Sequence, residues 1–347
     1  MRNRTTNSYS RSDYGALMAS RIPHTLANNQ DLRFDSAEDA SVFFARELDH
    51  IKSQTYDVVY PEFTAVKLFP QSSEANEGAE TITYYSYDKT GIAKIIDNYS
   101  TDIPRVDTHG KPSTSQIKSI GDSYGYSVQE MRASRLAGKS LDARKAESAR
   151  YAIDCQLNRI AWAGDPDNGL VGVLTEGNDI PVYTPASVTS LVDGEEHTEW
   201  EYKTPEQILD DINGMQKFVA KITKNVERPD TLVLPADVYI HIATKQIPHT
   251  GYTVKRFLME NAPYLKTIES AAELQADAEG TNPWASEGLN VAFLYTNDPR
   301  KLTIENPMPF YQYPLQTEKL EVEVICEART AGAIIYYPLS ALIAVGI

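Results

Sequence analysis

The sequence predicts an α+β protein organised around one long amphipathic helix, with an extended β region before it and an inserted α/β domain after it. Three observations carry this prediction. Apolar residues recur mostly at spacings of three and four between positions 141 and 160. Strand-like and turn-rich stretches without a sustained helical period fill residues 56–126. Helix and strand patterns then alternate over residues 204–300.

Composition limits the classes of function. The chain has 347 residues, of which 41% are hydrophobic, so it can form a proper core. Its net charge of −15 argues against a general nucleic-acid binder, because neutralising phosphates needs clustered Lys and Arg. The charge is uneven, since residues 1–34 hold five Arg and two Asp, a net of +3, which leaves −18 for the remainder.

Residues 1–34 have no sustained period and are interpreted as an extended arm, which either orders against a partner or remains a floppy terminus. The arm residues assigned to contacts between chains are Arg2, Arg4, Arg11 and Arg21. Residues 35–55 are expected to form a short helix that joins the arm to the β region.

The β region, residues 56–126, contains two β-type runs, Thr64–Phe69 and Thr81–Tyr87. A long two-stranded excursion is marginal alone in water, so it is expected to lie on a surface, either of another subunit or of its own domain. The chain has 21 Tyr against nine Phe, and Tyr supplies large contact area with a polar tip. The tyrosines assigned to contacts between chains are Tyr84, Tyr85, Tyr87 and Tyr99. Ordinary cross-strand Tyr pairs are the alternative.

Residues 127–203 are predicted to open with a short helix over Val128–Leu136 and to continue into the long helix, which we call the spine, over residues 141–163. A glycine ends the spine, and turn residues lead into a short apolar strand that runs to Leu174. The residues assigned to the buried stripe and the turn are Ile153, Leu157, Ile160, Gly164, Asp165 and Gly169.

Residues 204–300 read as a compact α/β domain. Thr204 to Gln207 is a helix start with a cap, an N1 proline and a capping-box Gln, while Thr231–Leu234 and Asn290–Tyr295 read as buried strands. Residues 301–347 contain an alternating strand over Lys319–Arg329, with Leu320 expected on its buried side, and two buried strands after it. These terminal strands are expected to pair beside the spine, which makes residues 204–300 an insertion.

A search for catalytic chemistry is negative. The sequence holds no nucleophile elbow, metalloprotease motif or phosphate-cradling glycine loop, and its six His are scattered. Asp165-x-Asp167 fails as a calcium loop, because Gly169 and Leu170 fall at the fifth and sixth positions. We therefore expect no catalytic residue, cofactor or metal, and both Cys155 and Cys326 are predicted to be buried thiols. No membrane segment is expected, because Pro and polar residues interrupt the uncharged C-terminus.

The order of these parts resembles the major capsid proteins of tailed bacteriophages. The residues that carry the resemblance run from Ala152-Ile153-Asp154 through Asn158 and Trp162 to Gly164-Asp165, and then over Asn168-Gly169-Leu170-Val171-Gly172-Val173-Leu174. Ala331-Gly332-Ala333 followed by Tyr337-Pro338-Leu339-Ser340-Ala341 is similar to the closing strands of the same family. The resemblance covers most of the chain and is weakest over residues 175–300.

The resemblance implies the Hong Kong ninety-seven capsid fold. Residues 1–34 would be the N-arm, 56–126 the extended E-loop, 127–203 with 301–347 the peripheral P-domain, and 204–300 the axial A-domain. The implied function is self-assembly into pentamers and hexamers of an icosahedral shell around phage DNA, with no enzymatic step.

The implied partners are copies of the same chain, a portal, a separate scaffolding or decoration protein, and packaged double-stranded DNA held without sequence preference. The Arg-bearing arm would touch either a neighbouring copy or the DNA. The implied location is the virion, after assembly in the host bacterial cytoplasm. Some relatives carry a long N-terminal scaffolding segment, whereas a helix begins here by Ser36, so scaffolding is expected from a separate protein.

Alternative functions remain open from the sequence alone. An encapsulin-like nanocompartment shell has the same fold but encloses a cargo protein, so the contents of purified shells discriminate the two. An α/β enzyme with an unrecognised site is the second alternative, against which stands the lack of a convergent His, Ser or Cys set. An adhesion module that uses the Tyr-rich strands is the third, and the long buried spine disfavours it.

Overall fold

The computed structural model describes residues 62–90, 105–137, 141–189 and 194–347. The predicted N-arm, the predicted helix over 35–55 and the candidate residue Tyr99 lie outside the described residues, as do the four arginines of the arm. All described residues belong to one compact unit, residues 60–347.

Apart from the first, the helices of the described part follow the predicted order. They are α1 (Ala65–Leu68), α2 (Val128–Ala137), α3 (Leu141–Ala163), α4 (Pro205–Ile222), α5 (Ala236–Thr244) and α6 (Val254–Asn261). Short 3-10 turns are found at Pro166–Asn168, Ala272–Leu274, Pro283–Glu287 and Pro338–Ser340. The spine is α3, whose bounds match the prediction.

Strands of the described part form sheets and two hairpins. They are β1 (Gln71–Ser72), β2 (Thr81–Thr90), β3 (Asp107–Gln116), β4 (Lys118–Ser127), β5 (Val182–Tyr183), β6 (Val188–Thr189), β7 (Glu196–His197), β8 (Thr231–Leu234), β9 (Thr267–Ser270), β10 (Val291–Tyr295), β11 (Leu302–Glu305), β12 (Met308–Gln312), β13 (Gln316–Glu318), β14 (Glu321–Thr330), β15 (Gly332–Ile335) and β16 (Ala341–Val345). The sheet orders are β1-β11-β15, β5-β16-β10-β8-β9, and β12-β14-β13 with β4 also on β14, while β2-β3 and β6-β7 are hairpins.

The five-stranded sheet is buried on both faces, which explains why its strands are continuous apolar runs. Phe293 and Ile343 point into a core shared with the C-terminal end of the spine, where Trp162 is fully buried. Leu294 and Leu342 point into a second core formed with α4, α5 and α6. The spine end and the three helices therefore sit on opposite sides of one sheet.

The N-terminal half of the spine packs on a different sheet. Ile153 is 1% exposed and lies in a cluster with Tyr124 and Tyr126 of β4 and with Val324 and Cys326 of β14. The alternation predicted for Lys319–Arg329 places these β14 residues toward the spine. One rod thus joins the core under β4 and β14 to the core under the five-stranded sheet.

The N-terminal cap of α4 is as predicted. Thr204 Oγ1 accepts from the Gln207 amide, and Gln207 Oε1 accepts from the Thr204 amide at 2.8 Å, with Pro205 at the first helical position. This reciprocal capping satisfies two amide groups that the helix leaves without partners.

Three sequence predictions are wrong. Thr64–Phe69 contains the helix α1, not a strand, because its first amide is bound by a spine side chain. The short apolar strand predicted to run to Leu174 is instead a set of isolated bridges and turns, since the amides of Val173 and Leu174 bind carbonyls of the spine. The last strand, β16, pairs with β10 and β5 and not with β4 or β14 beside the N-terminal half of the spine, because its two faces fill both cores of the five-stranded sheet.

Two single-residue predictions also need correction. Cys155 is exposed, since it stands two residues after Ile153 and so points away from the buried stripe, whereas Cys326 is buried as predicted. Leu320, expected on the buried side of the alternating strand, is 73% exposed. It lies in the turn before β14, next to Lys319, whose φ is 55°.

The buried stripe of the spine gives the first test. Replacing Ile153 by Asp places a charge where the side chain has 1% exposure, and we expect a loss of at least about 3 kcal/mol in the free energy of unfolding and little soluble protein. The measurement is the soluble yield with urea unfolding of unassembled subunits. Ala152→Asp, on the exposed side of the same turn, should stay near the wild type. Equal stability of both variants would contradict the burial of this stripe.

Candidate functional site

The C-terminal end of the spine is closed by the chain segment that follows it. A helix leaves its last four carbonyl groups without helical partners. Here the amides of Val173 and Leu174 donate to the carbonyls of Ala161 and Trp162, at 2.9 and 2.7 Å. The Thr175 hydroxyl donates to the Ala163 carbonyl at 2.6 Å. The end of the spine is thereby satisfied inside the protein, next to the buried Trp162 ring.

Close approach of these two backbone segments requires glycine. A Cβ atom on Gly172 would lie 2.2 Å from the Gly164 nitrogen, and a Cβ atom on Gly164 would lie 2.6 Å from the Gly172 nitrogen. Gly164 also has a φ of 75°, in the left-handed region that favours glycine. The spine therefore ends at a glycine for two reasons, conformation and space.

The turn from Asp165 to Leu170 is a local structure. The Asp165 amide and the Leu170 carbonyl form one hydrogen bond of 2.9 Å, and the reverse pair forms another of 2.9 Å. Asn168 Nδ2 donates to the Asp165 carboxylate at 2.7 Å, and Gly169 has a φ of 71°. The described residues contain no group of three or more side chains placed to hold a metal ion. The Asp165 carboxylate thus serves the turn.

A buried polar network joins the spine to α1. Asn158, 6% exposed, donates to Glu273 Oε1 at 2.7 Å and accepts from the Ala65 amide at 3.0 Å. Glu273, 8% exposed, also accepts from the Thr64 amide at 3.2 Å and from the Thr64 hydroxyl at 2.8 Å. At the start of α1, the Glu273 carboxylate and the Asn158 side-chain oxygen therefore accept hydrogen bonds from the backbone N–H groups of Thr64 and Ala65.

Aromatic rings hold the other end of α1. Tyr295 donates its hydroxyl to the Leu68 carbonyl at 2.5 Å, and burial raises the pKa of Tyr295 well above its ordinary value. The Phe69 ring lies 4.9 Å from Trp162 and 5.4 Å from Tyr295, between centroids. The segment Ala65–Phe69, which leads into the β2–β3 hairpin, therefore packs where the C-terminal end of the spine meets the five-stranded sheet. We call this region the joint.

Comparison with known proteins identifies this architecture. The profile of the major capsid protein family matches residues 91–347. The chain belongs to the major capsid protein family. Its fold is that of tailed-phage capsid shell proteins, and the predicted fold class and function are confirmed at that level. No curated protein matches the sequence.

Solved capsid structures share the fold at low sequence identity. The capsid of Myoviridae phage XM1 has a TM-score of 0.74 at 16% identity, and the match covers 89% of this chain and 100% of that chain. The capsid of an empty GTA particle has a TM-score of 0.57 at 10% identity over 87% and 96% of the two chains. A structure from Mycobacterium phage Ogopogo has a TM-score of 0.55 at 13% identity over 86% and 96%.

The predicted structural residues of this capsid protein meet along the spine. Ile153 and Ile160 are buried, and Gly164 ends the helix. Leu157 is half-buried and packs against the cluster that contains Ile153. Asp165 and Gly169 lie in the turn that returns the chain to the joint. Within the described residues, none of the helices has the length and apolar content that crossing a membrane requires.

The candidate tyrosines of the capsid protein separate into two kinds. Tyr84 packs against Tyr336 of its own chain, with ring centroids 4.9 Å apart, and donates its hydroxyl to the Ile335 carbonyl at 3.3 Å. Tyr85 and Tyr87, on the other side of β2, are 64% and 68% exposed. A role in contacts between copies thus stays a prediction for Tyr85 and Tyr87, while Tyr84 anchors the hairpin to the body.

Sequence reasoning missed the residues that form the joint, which are Thr64, Asn158, Gly172, Thr175 and Glu273. The apolar stripe gives no signal for Asn158, because this residue lies on the side of the spine away from Ile153. Its partner Glu273 is 115 residues away, which no local pattern reveals.

The glycine contact gives the second test. Gly172→Ala forces the two backbone segments apart, and we expect a loss of at least about 2 kcal/mol in the free energy of unfolding. Gly251→Ala is the control, because no atom lies within 4 Å of the place where its Cβ atom would stand and its backbone is not left-handed. Thermal unfolding of unassembled subunits measures both. A Gly172→Ala midpoint equal to that of the control would refute the packing described for the spine end.

The buried network gives the third test. Asn158→Ala leaves the Ala65 amide and one Glu273 oxygen short of a partner, and each buried unsatisfied group costs about 1–3 kcal/mol. We therefore expect Asn158→Ala to lower the free energy of unfolding by at least about 2 kcal/mol. Cys155→Ala, exposed on the same helix, serves as control and should change it by less than about 0.5 kcal/mol. If the two variants unfold at the same urea concentration, the network is not stabilising.

Proposed function

We propose that this capsid protein assembles into pentamers and hexamers of a closed icosahedral shell that encloses phage double-stranded DNA. The observation that carries the proposal is the match to the major capsid protein family over residues 91–347. Contacts that close by rotation build rings, and many modest contacts together stabilise a shell. The role is assembly and not turnover of a substrate.

The domain assignment is part of the proposal. The N-arm is residues 1–34, the E-loop lies within 56–126, the P-domain is 127–203 with the strands of 301–335, and the A-domain is 204–300. Pairing of β16 with β10 supports giving the last strand to the A-domain sheet. The portal, a separate scaffolding or decoration protein and packaged DNA are proposed partners, and assembly in the host cytoplasm is the proposed route to the virion.

The β2–β3 hairpin supports contacts between copies. Its strands pair over ten residue pairs, from Thr81 opposite Gln116 to Thr90 opposite Asp107, which corresponds to a length of roughly 33 Å. A two-stranded hairpin of this length has little core of its own, so it gains stability from a surface on which it lies. The exposed rings of Tyr85 and Tyr87 supply contact area with polar tips for a neighbouring copy.

The direct experiment is negative-stain electron microscopy of the protein purified at high concentration, with analysis of its contents. Closed shells and five- or six-membered rings, with DNA in shells from infected cells, are the expected result. A monodisperse monomer or dimer at high concentration would contradict the proposal. Shells that enclose a cargo protein and no DNA would instead favour a nanocompartment.

The tyrosines of the hairpin give the fourth test. Tyr85→Ala combined with Tyr87→Ala should leave subunit unfolding unchanged but raise the protein concentration needed for assembly by about tenfold, because the loss repeats at every contact. Tyr84→Ala should do the reverse and destabilise the subunit, since its ring contacts Tyr336. Light scattering against concentration measures assembly. Unchanged assembly of the double variant would exclude these two rings from contacts between copies.

A further inference from the structure

The sheet formed by β4, β12, β13 and β14 has one face covered by the spine and one face turned away from it. The residues of β4 and β14 on the face away from the spine, which we call the outer face, are Ser119, Gly121, Ser123, Gly125, Ser127, Glu321, Glu323, Ile325, Glu327 and Arg329. On β4 every member is Gly or Ser, so no large side chain stands over this strand. On β14 three of the five members are Glu.

Two of these carboxylates are available to a partner. Glu321 and Glu323 are exposed, and no Lys, Arg or His nitrogen of the described residues lies within ion-pair distance of either. The Glu321 side chain reaches over Gly125, 3.2 Å from where a Cβ atom of that glycine would stand. Residues 316–329 hold four Glu, one Lys and one Arg, a net of −2.

The third carboxylate is held in its charged form by a neighbour. Tyr313 donates its hydroxyl to Glu327 at 2.7 Å, and this hydrogen bond lowers the pKa of Glu327. Arg329, at the far end of the outer face, donates to the backbone carbonyl of Glu77. The acidic character is therefore concentrated at the end of β14 that carries Glu321 and Glu323.

Exposed apolar side chains border the acidic end. The Tyr311 and Tyr313 rings form an edge-to-face pair with centroids 5.0 Å apart and are 51% and 37% exposed. Leu315 and Leu320, on either side of β13, are 61% and 73% exposed. An acidic row with aromatic and aliphatic neighbours fits an extended basic peptide that also carries apolar side chains.

The chain itself supplies such a peptide. Residues 1–34 have a net charge of +3 with five Arg and no Lys, whereas the remainder of the chain has −18. Their apolar side chains include Tyr9, Tyr14, Leu17 and Met18, interleaved with the arginines. A guanidinium group fits a carboxylate with two parallel hydrogen bonds, so an Arg-only arm suits Glu321 and Glu323 better than a Lys arm would.

We propose that residues 1–34 of a second copy of this chain bind the outer face, with arm arginines paired to Glu321 and Glu323. This inference rests on the proposed function, in which copies of the chain assemble into a shell. An arm exchanged between copies repeats the contact at every subunit, so weak exposed ion pairs add up over the shell. The contact also places positive charge between subunits that otherwise repel.

The test uses charge reversal in the full chain. The face variant is Glu321→Lys with Glu323→Lys, and the arm variant is Arg4→Glu with Arg11→Glu. Each alone should lower the fraction of protein in shells by about tenfold at a fixed concentration. The control variant, Glu279→Lys with Glu287→Lys, makes the same change in net charge as the face variant at two exposed positions and should assemble like the wild type.

Mixing the variants shows which copy the arm binds. In an equal mixture of face variant and arm variant, every matched pair of arm and face lies on different copies, so assembly should recover to at least half of the wild-type level. A single chain that carries all four substitutions should recover as well. Recovery of that chain without recovery of the mixture would overturn the second-copy assignment, and recovery of neither would overturn the ion pairs.

Assembly of the wild type and of the control variant distinguishes a failure of the outer-face inference from a failure of the proposed function. If both form shells and the face variant forms them equally well, the outer-face inference is wrong while the proposed function stands. If no variant and no wild-type protein forms shells or rings, both are wrong. A further check is salt, because raising NaCl from about 0.05 to 0.5 M screens the ion pairs between arm and face as well as the general repulsion between copies. The ratio of wild-type assembly to face-variant assembly should therefore fall.

Discussion

The last turn of the spine is the constraint on which the rest of the subunit depends. Its carbonyls would be unsatisfied in a buried position if the chain simply turned away, and a buried carbonyl without a partner costs about 1–3 kcal/mol. The chain instead doubles back, and the amides of Val173 and Leu174 with the Thr175 hydroxyl bind those carbonyls. This return fixes where the spine ends.

The joint around that turn also holds the hairpin segment. Phe69 packs on Trp162, and Tyr295 from the five-stranded sheet binds the Leu68 carbonyl. One ring cluster therefore contacts the spine, the sheet and the segment before β2. The same rings thus tie three separate parts of the chain together in one core.

Sequence patterns predicted the parts of the fold that are fixed locally. The spine repeats its apolar stripe over six turns, the α4 cap is a four-residue signal, and the alternation of β14 follows from one covered face. The prediction fails at α1 because Thr64–Phe69 has β-type composition, while its helix is fixed by Glu273, 209 residues away from Thr64. It fails at the pairing of β16 for the same reason, since the partners of this strand are chosen by two cores that form only in the folded chain.

A net charge of −15 per copy sets a problem that any shell of this protein must solve. Like charges on neighbouring copies repel, and the repulsion grows with every copy added. The buried pair of Lys203 and Asp211 does not relieve it, since this pair is internally neutral. Counterions screen part of the repulsion, and positive charges that reach across to another copy relieve more of it; residues 1–34 carry a net of +3. The arm arginines therefore offset part of the repulsion wherever they lie between copies, and carboxylates such as Glu321 and Glu323 are the groups that gain most from their approach.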